Sequence, residues 1–262
     1  MKFLLRALVV LLVLGALGVA GVWIFLNPIV SSAIEKGSTY ATGVDTKVGS
    51  VDASLRAGRF GLKELSLANP PGFRPEPFLH LASAQAAWQN GTILSKTIEM
   101  DELVVDGVDV NLERTGSGTN YGTILDHLGK ISGGGDKEKP KESAGGKTLL
   151  IKKIEIRNVR AGLHLSGVPL ASGSLEVKVP SIVINDFRSD GSTTEIVSKL
   201  TRVLLKSILE SVQSAGKDIF PADIVKDLGN GLKGVTSTLE GSAKSALDET
   251  LKGVGDNFKK KK

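Results

Sequence analysis

Residues 100–107 read MDELVVDG, and the same pattern returns at residues 62–69 as LKELSLAN and at residues 151–158 as IKKIEIRN. Each copy runs apolar, two charged residues, apolar, any residue, apolar, any residue, and then Asn or Gly. The last two apolar residues are two positions apart, which places them on one face of a β-strand. Asn and Gly tolerate a positive φ, so the end of each copy predicts a turn or a bulge. The copies are either a repeat or three unrelated strands that share a turn residue, and their uneven spacing excludes a fixed-period solenoid.

The composition restricts the class of protein. A chain of 262 residues suits one medium domain or two small ones, and its 5% aromatic content and 31 glycines favour an open, thinly packed sheet. The absence of cysteine excludes disulfides, thiolate metal sites and cysteine nucleophiles. The formal charge is +5, and four of the basic residues are the terminal residues 259–262, so the charge predicts no nucleic-acid partner.

An uncharged run at residues 7–26 follows Lys2 and Arg6. Twenty helical residues span roughly 30 Å, the thickness of a bilayer core. Basic residues only before the run predict a single transmembrane helix with its N-terminus in the cytoplasm and the body of the protein outside it. A cleavable secretory signal is the alternative, since residues 18–20 read GVA. Apolar residues continue beyond that point to Leu26, which favours a retained signal anchor.

Alternating apolar residues predict two β-rich regions, residues 27–131 and 148–190, joined by a Gly-, Lys- and Glu-rich flexible linker at residues 132–147. Short helices are predicted at residues 29–40 and 120–131. The phase of alternation changes around Gly49, which predicts a bulge or a tight turn there. The proline-rich residues 70–77 predict a loop at the margin of a sheet.

Residues 191–262 change to a helical period and end in the basic tail. Apolar residues four apart predict one amphipathic helix: Ile196, Leu200, Leu204, Ile208 and Val212. Ser192 and Thr193 before Glu195 predict a capping box at its start. A second helix is predicted after Pro221, although its glycines each cost roughly 1 kcal/mol relative to Ala. We therefore expect the second helix to order only against a sheet, a partner or a lipid surface.

Reactive groups are scattered through the sequence. His80, His127 and His164 have no metal-ligand neighbour at helical or turn spacing, and no nucleophile elbow, phosphate-binding loop or dinucleotide-binding glycine pattern occurs. Carboxylates alternate with apolar residues, as on a solvated sheet face. We predict no catalytic residue, no metal site and no cofactor, and hence a non-enzymatic protein. Residues 90–92 fit a glycosylation acceptor, but a hairpin turn at residues 90–91 is the preferred interpretation.

Several stretches together resemble the AsmA-like family of envelope proteins, over roughly residues 1–190. They are the span with its Asn-Pro exit at residues 27–28, VDTKVGSV at 44–51, GLKELSLANPPGF at 61–73, the strand pair ending in Glu113, NYGTIL at 120–125, and residues 146–158. The resemblance implies an α+β protein with an N-terminal transmembrane helix, a curved antiparallel sheet shaped like a gutter, and C-terminal amphipathic helices. It also implies a single-pass protein of the bacterial inner membrane with its body in the periplasm, involved in envelope and outer-membrane lipid handling. Related TamB-like proteins are thought to pass phospholipid along such a sheet, but this chain is short and lacks the further repeats needed to cross a periplasm.

A sheet with one apolar face must cover that face, and membrane phospholipid is the expected partner because each buried CH2 contributes about 0.8 kcal/mol. The candidate lipid-facing residues are Leu65, Leu67, Leu103, Val105, Val108, Val110, Leu112, Ile154, Ile156, Leu175, Val177 and Val179. Alternatively, the C-terminal helices cover the same face and no ligand enters. A second hypothesis is a structural or interaction module that binds an unknown protein partner through those helices. A third, based on residues 67–70, is a water-stress β-sandwich domain.

Overall fold

The computed structural model describes residues 26–54, 57–88, 92, 95–132, 146–165 and 175–235. These residues form an α+β fold with four helices and a curved, mixed sheet. In chain order the elements are α1 (26–42), β1 (Thr46–Ser54), β2 (Arg59–Leu67), β3 (Leu79–Trp88), β4 (Thr97–Thr115), β5 (Gly118–Thr119), α2 (Asn120–Ser132), β6 (Lys147–Leu165), β7 (Leu175–Val179), β8 (Ile182–Gly191), α3 (Thr193–Ala215) and α4 (222–235).

The strands form one eight-stranded sheet in the order β1-β2-β3-β4-β6-β7, with β5 beside β4 and β8 beside β6. The two predicted β-rich regions are therefore halves of a single sheet, and the two sheets of a β-sandwich are not formed by the described strands. The prediction of an antiparallel sheet is wrong at its centre, because β4 and β6 run parallel with Leu103 opposite Ile154. Their connection includes β5 and α2, and such a crossover returns the chain to the end where β4 began.

The strands change the phase of their side-chain alternation at one level of the sheet. In β4, Val105 and Val108 are both buried although three positions separate them, and Ile156 and Val159 of β6 repeat this spacing. The residues skipped in the pairing register at this level form a row, here named the first crease: Gly49, Glu64, Ala82, Gly107, Asn158 and, between β7 and β8, Pro180. A bulge ordinarily adds a residue to one strand and bends it. Here each of the neighbouring strands has one extra residue at the same level, so pairing resumes in the same register beyond it.

The first crease explains the predicted bulges. Gly107 and Asn158, which end the second and third sequence copies, have φ of 73° and 55°, so the bulge prediction is confirmed there. The phase change predicted at Gly49 is also confirmed, within an unbroken strand. Asn69 instead follows β2 in an irregular stretch, and in the first copy it is Glu64 that has a positive φ of 57°.

A second crease contains Asp101, Lys152 and Asp186, the last with φ of 55°. It explains the start of the sequence pattern, since two charged residues between apolar ones mark the point where alternation slips. Residues 100–103 and 151–154 cross the second crease, whereas residues 62–65 cross the first. The pattern is therefore a local rule of this sheet, used at two levels.

The helices cover one face of the sheet and pack with it into one apolar cluster. The second helix after Pro221 is confirmed as α4, and it lies against the other helices: a Cβ at Gly231 would stand 2.7 Å from Leu125 Cδ1 of α2. Along the edge strand β1, side chains of α1 accept backbone N–H groups. Val48 donates to Glu35 at 3.0 Å and Ala53 to Asn27 at 2.9 Å. These contacts occupy N–H groups of an edge strand that would otherwise be free to pair with another strand.

The predicted capping box of α3 is confirmed, with the Glu195 N–H donating to Ser192 Oγ and the Ser192 N–H to Glu195 Oε2. The predicted apolar stripe is correct at Ile196, Ile208 and Val212. Leu200 and Leu204 are only partly buried, because a step of four drifts around the helix.

Among the described residues, no helix combines the length and hydropathy needed to cross a membrane. The predicted span at residues 7–26 lies outside the described residues except for Leu26, which opens the described part of α1. The predicted hairpin turn at residues 90–91 and most of the predicted linker also lie outside them.

Candidate functional site

The twelve predicted lipid-facing residues all lie on the helix-covered face of the sheet. Ten are buried, and Leu65 and Leu175 are partly buried against the same apolar cluster. Ile154, Ile156 and Leu112 are fully buried, and they lie on the parallel pair at the centre of the sheet. The structure therefore brings the predicted set together on one continuous apolar surface.

The cover over this surface comes from the helices of the chain itself. Leu205, Leu209 and Val212 of α3 are buried in the same cluster as the strand residues, as are Ile224 and Leu228 of α4. In this arrangement the face is the hydrophobic core of the protein, which is the covered alternative considered from the sequence.

Packing is incomplete between α1, α3 and strands β2–β4. A gap of about 80 Å³ lies there. Four predicted lipid-facing residues line it from below: Leu65, Leu67, Val105 and Val108. Leu204, Leu205 and Ile208 of α3 line it from above. The gap exceeds the roughly 30 Å³ share of one water molecule but is well below the 300–1,000 Å³ of typical ligand pockets. It has room for the end of an apolar chain.

The polar contact at the margin of the gap joins two helices. Ser38 of α1 and Thr201 of α3 line the gap, and their hydroxyl oxygens are 3.0 Å apart. The sequence analysis missed both residues, because a single hydroxyl on a helix carries no signal of its own. Ser38 is buried, and so is Arg202, which follows Thr201.

The opposite face of the sheet is polar, and its charges follow the parallel pair. Acids on β4 meet bases on β6 at a constant separation of 51 positions: Asp101–Lys152, Glu102–Lys153, Asp106–Arg157 and Asp109–Arg160. The Asp109 carboxylate raises the pKa of Arg160. A hydrogen bond from Asn158, together with Arg157, holds the pKa of Asp106 below its usual value. A shift of the strands by one or two residues would break this ladder, so it specifies the parallel register.

The polar face also has an open concavity of about 870 Å³ over β1–β4. Its lining includes Arg59, Lys63, Gln85 and Glu102, all exposed. An acyl chain placed there would have to desolvate both signs of charge. The larger concavity is therefore a poorer site for lipid than the small gap under α3.

No protein-family model matches this chain, and no curated protein matches it. The resemblance to the AsmA-like family thus stays a prediction from the sequence.

Three of the stretches that carry that resemblance meet in a polar network, at residues 69–73, 111–113 and 120. Asn120 donates to Asn69 Oδ1 at 3.0 Å and to the Asn111 carbonyl at 2.7 Å. The buried carboxylate of Glu113 accepts the backbone N–H of Arg74 at 3.0 Å. These bonds tie the proline-rich loop to the end of β4 and the start of α2, as a satisfied network that fixes conformation.

The histidines lie apart from one another. His80 on the polar face is 2.6 Å from Glu64, and His127 contacts the Tyr40 carbonyl at 3.2 Å. Across the described ranges, no group of three or more His, Asp or Glu side chains is placed to hold a metal ion.

Proposed function

We propose that this protein is a non-enzymatic, AsmA-like protein of the bacterial cell envelope that binds lipid acyl chains on the apolar face of its sheet. The observation that carries the proposal is the continuous apolar face, formed by the twelve predicted residues, with incomplete packing under α1 and α3. We propose further that residues 7–26 anchor it in the inner membrane, with the N-terminus in the cytoplasm and the body in the periplasm. The proposed role is the handling of envelope and outer-membrane lipid.

Entry of a lipid requires the cover to move, because the gap of about 80 Å³ holds only part of a chain. The movable part is the junction of α1 and α3. The contact between Ser38 and Thr201 joins the helices there. Gly37 of α1 also packs closely against Val197 of α3, since a Cβ added to Gly37 would lie 2.7 Å from Val197 Cβ. This junction lies near the C-terminal end of α1, roughly 18 Å along the helix from the end of the proposed anchor at residue 26.

A reversible cross-link tests this. The chain has no cysteine, so Ser38→Cys with Thr201→Cys creates one disulfide between α1 and α3. Full-length protein is extracted gently from membranes, and co-purifying phospholipid is measured by mass spectrometry. We expect lipid with wild-type protein and with the reduced variant, and at least a severalfold lower loading when the reduced, delipidated variant is oxidised before exposure to lipid vesicles.

The wild-type chain treated with the same oxidant is the matched control, since it has no thiol to react. Protein that carries no phospholipid in any form would refute the proposed function. Equal loading of oxidised and reduced variant would show instead that lipid, if bound, enters elsewhere.

The alternative of a partner-binding module relies on apolar faces of the C-terminal helices. In α3 and α4 those residues are already packed against the sheet and α2. No observation on the described residues favours that alternative, and residues 236–262 lie outside them.

A further inference from the structure

Arg202 is a buried cation in the middle of the covering helix α3. Its residue surface is only 8% exposed, and Nε has no hydrogen-bond partner in the described part of the chain. No carboxylate of those residues forms an ion pair with it. Burial disfavours its charge and lowers the pKa of the guanidinium. Arginine is rarely buried without a partner, so this position departs from the usual rule.

A second unsatisfied donor lies one turn earlier on the same helix. Ser198 is 2% exposed, and its Oγ also lacks a partner among the described residues. Residues four apart share one face of a helix, so Ser198 and Arg202 leave α3 on the same side. A planar guanidinium beside a hydroxyl donor suits an oxyanion, above all a phosphate, which accepts several charge-assisted hydrogen bonds.

These donors lie on α3, the helix that lines the apolar gap, beside residues that line it. Thr201, directly before Arg202, lines the gap, and so does Ser38. Tyr40, two positions from Ser38, is close enough to Arg202 to influence its charge. A single molecule can therefore satisfy both features if it combines an anionic head with an apolar chain.

We infer that Arg202 and Ser198 bind the phosphate of an anionic lipid, part of whose acyl chain enters the gap between α1, α3 and β2–β4. The inference rests on the proposed function, and adds to it the charge class of the lipid and the residues that select it. The same chemistry is offered by free phosphate, so the test must separate the two sources.

The test compares three probes on delipidated full-length protein held in amphipol: dodecyl phosphate, dodecanol and inorganic phosphate. Binding is measured by titration calorimetry and by the shift of the unfolding midpoint. The variants are Arg202→Met, which keeps length without charge, and Ser198→Ala. Arg188→Met is the matched control, because Arg188 is an exposed arginine paired with Asp190.

We expect dodecyl phosphate to bind wild type at least tenfold more tightly than dodecanol, which corresponds to about 1.4 kcal/mol. Arg202→Met should abolish that preference and leave dodecanol binding unchanged, Ser198→Ala should reduce it, and Arg188→Met should preserve it. Inorganic phosphate should bind far more weakly than dodecyl phosphate. Without ligand, Arg202→Met should melt at a higher temperature than wild type, because a buried guanidinium nitrogen with no hydrogen-bond partner among the described residues has been removed.

Three results would overturn the inference. Equal binding of dodecanol and dodecyl phosphate would show that the apolar face binds chains without selecting their charge, and the proposed function would stand alone. Inorganic phosphate as tight as dodecyl phosphate would make this a free-anion site. A lower melting temperature for ligand-free Arg202→Met would mean that the guanidinium is already satisfied within the protein. Failure of all three probes to bind would instead count against the proposed function itself.

Discussion

Gly107 offers the sharpest test of the first crease. Its φ is +73°, and a Cβ added there would stand 2.9 Å from Cβ of Ala82 on the neighbouring strand. A left-handed conformation costs an L-residue roughly 1–2 kcal/mol. The steric clash of the added carbon with Ala82 Cβ adds about 1–3 kcal/mol. We therefore expect Gly107→Ala to lower the free energy of unfolding by about 2–5 kcal/mol, a large share of the 5–15 kcal/mol typical of a domain.

The assay is urea unfolding of the full chain, followed by circular dichroism. Gly116→Ala is the matched control, because Gly116 has no positive φ and an added Cβ there would meet nothing within 4 Å. Its unfolding free energy should stay within about 0.5 kcal/mol of wild type. Adding Ala82→Gly to Gly107→Ala should recover the steric part of the loss but not the backbone part. If Gly107→Ala unfolds like the control, the crease is not a fixed feature of the sheet and the reasoning is wrong.

Three further predictions concern the helix cap and the charge ladder. Ser192→Ala removes the capping side chain of α3 and should cost about 1 kcal/mol in urea unfolding, with Ser192→Asn close to wild type. Asp109 and Arg160 form a bidentate pair across the parallel strands, with bonds of 2.7 and 3.0 Å. The double variant that exchanges them, Asp109→Arg with Arg160→Asp, should therefore unfold at a higher temperature than either single variant. The pKa of Asp106 is lowered in the folded state, because the Asn158 hydrogen bond and Arg157 favour its ionised form. Its contribution to stability is therefore present above about pH 4, the pKa in the unfolded chain, and is lost as the pH falls through the folded-state pKa. A stability difference between wild type and Asp106→Asn that fails to shrink in acid would contradict that assignment.

The strands were predictable because their alternation is local. A residue faces the core or the solvent according to its position along its own strand, and that information lies within a few neighbours. The same holds for Ser192 and Glu195, whose capping contacts span three positions. The creases were visible only in part. Gly49 marked a change of phase, but the joining of such changes into one row depends on strand order, which local pattern does not contain.

The parallel pairing of β4 and β6 was missed for the same reason, although a signal exists. Only the second and third sequence copies are 51 positions apart, and the acids of one copy face the bases of the other at that separation. Asp101 with Lys152 and Asp106 with Arg157 are therefore complementary only in a parallel register. The constant offset between opposite charges is the feature of the sequence that indicates the pair.

The buried face of α3 was mispredicted because the prediction relied on apolar residues alone. Five of the seven buried positions of α3 advance by four and three alternately: Ser198, Arg202, Leu205, Leu209 and Val212. This spacing keeps to one face of the helix better than steps of four. Two of these residues, Ser198 and Arg202, are polar. A prediction that considers only apolar residues therefore passes over them and selects Leu200 and Leu204 instead.

That mixed stripe bears on how a filled core can still be a binding face. Replacing the apolar cover of α3 by an acyl chain exchanges one apolar contact for another, so the hydrophobic free energy nearly cancels, at about 0.8 kcal/mol for each CH2 gained or lost. The balance is then decided by polar groups, which gain or lose partners when α3 moves. If α3 opens as proposed, Ser38 and Thr201 would lose a hydrogen bond. Arg202 Nε and Ser198 Oγ have no partner among the described residues to lose, and the proposed anionic head would supply one. A helix with only leucine on this face would cover the sheet more stably, but its displacement by a lipid would gain no polar contact and so would have no net driving force.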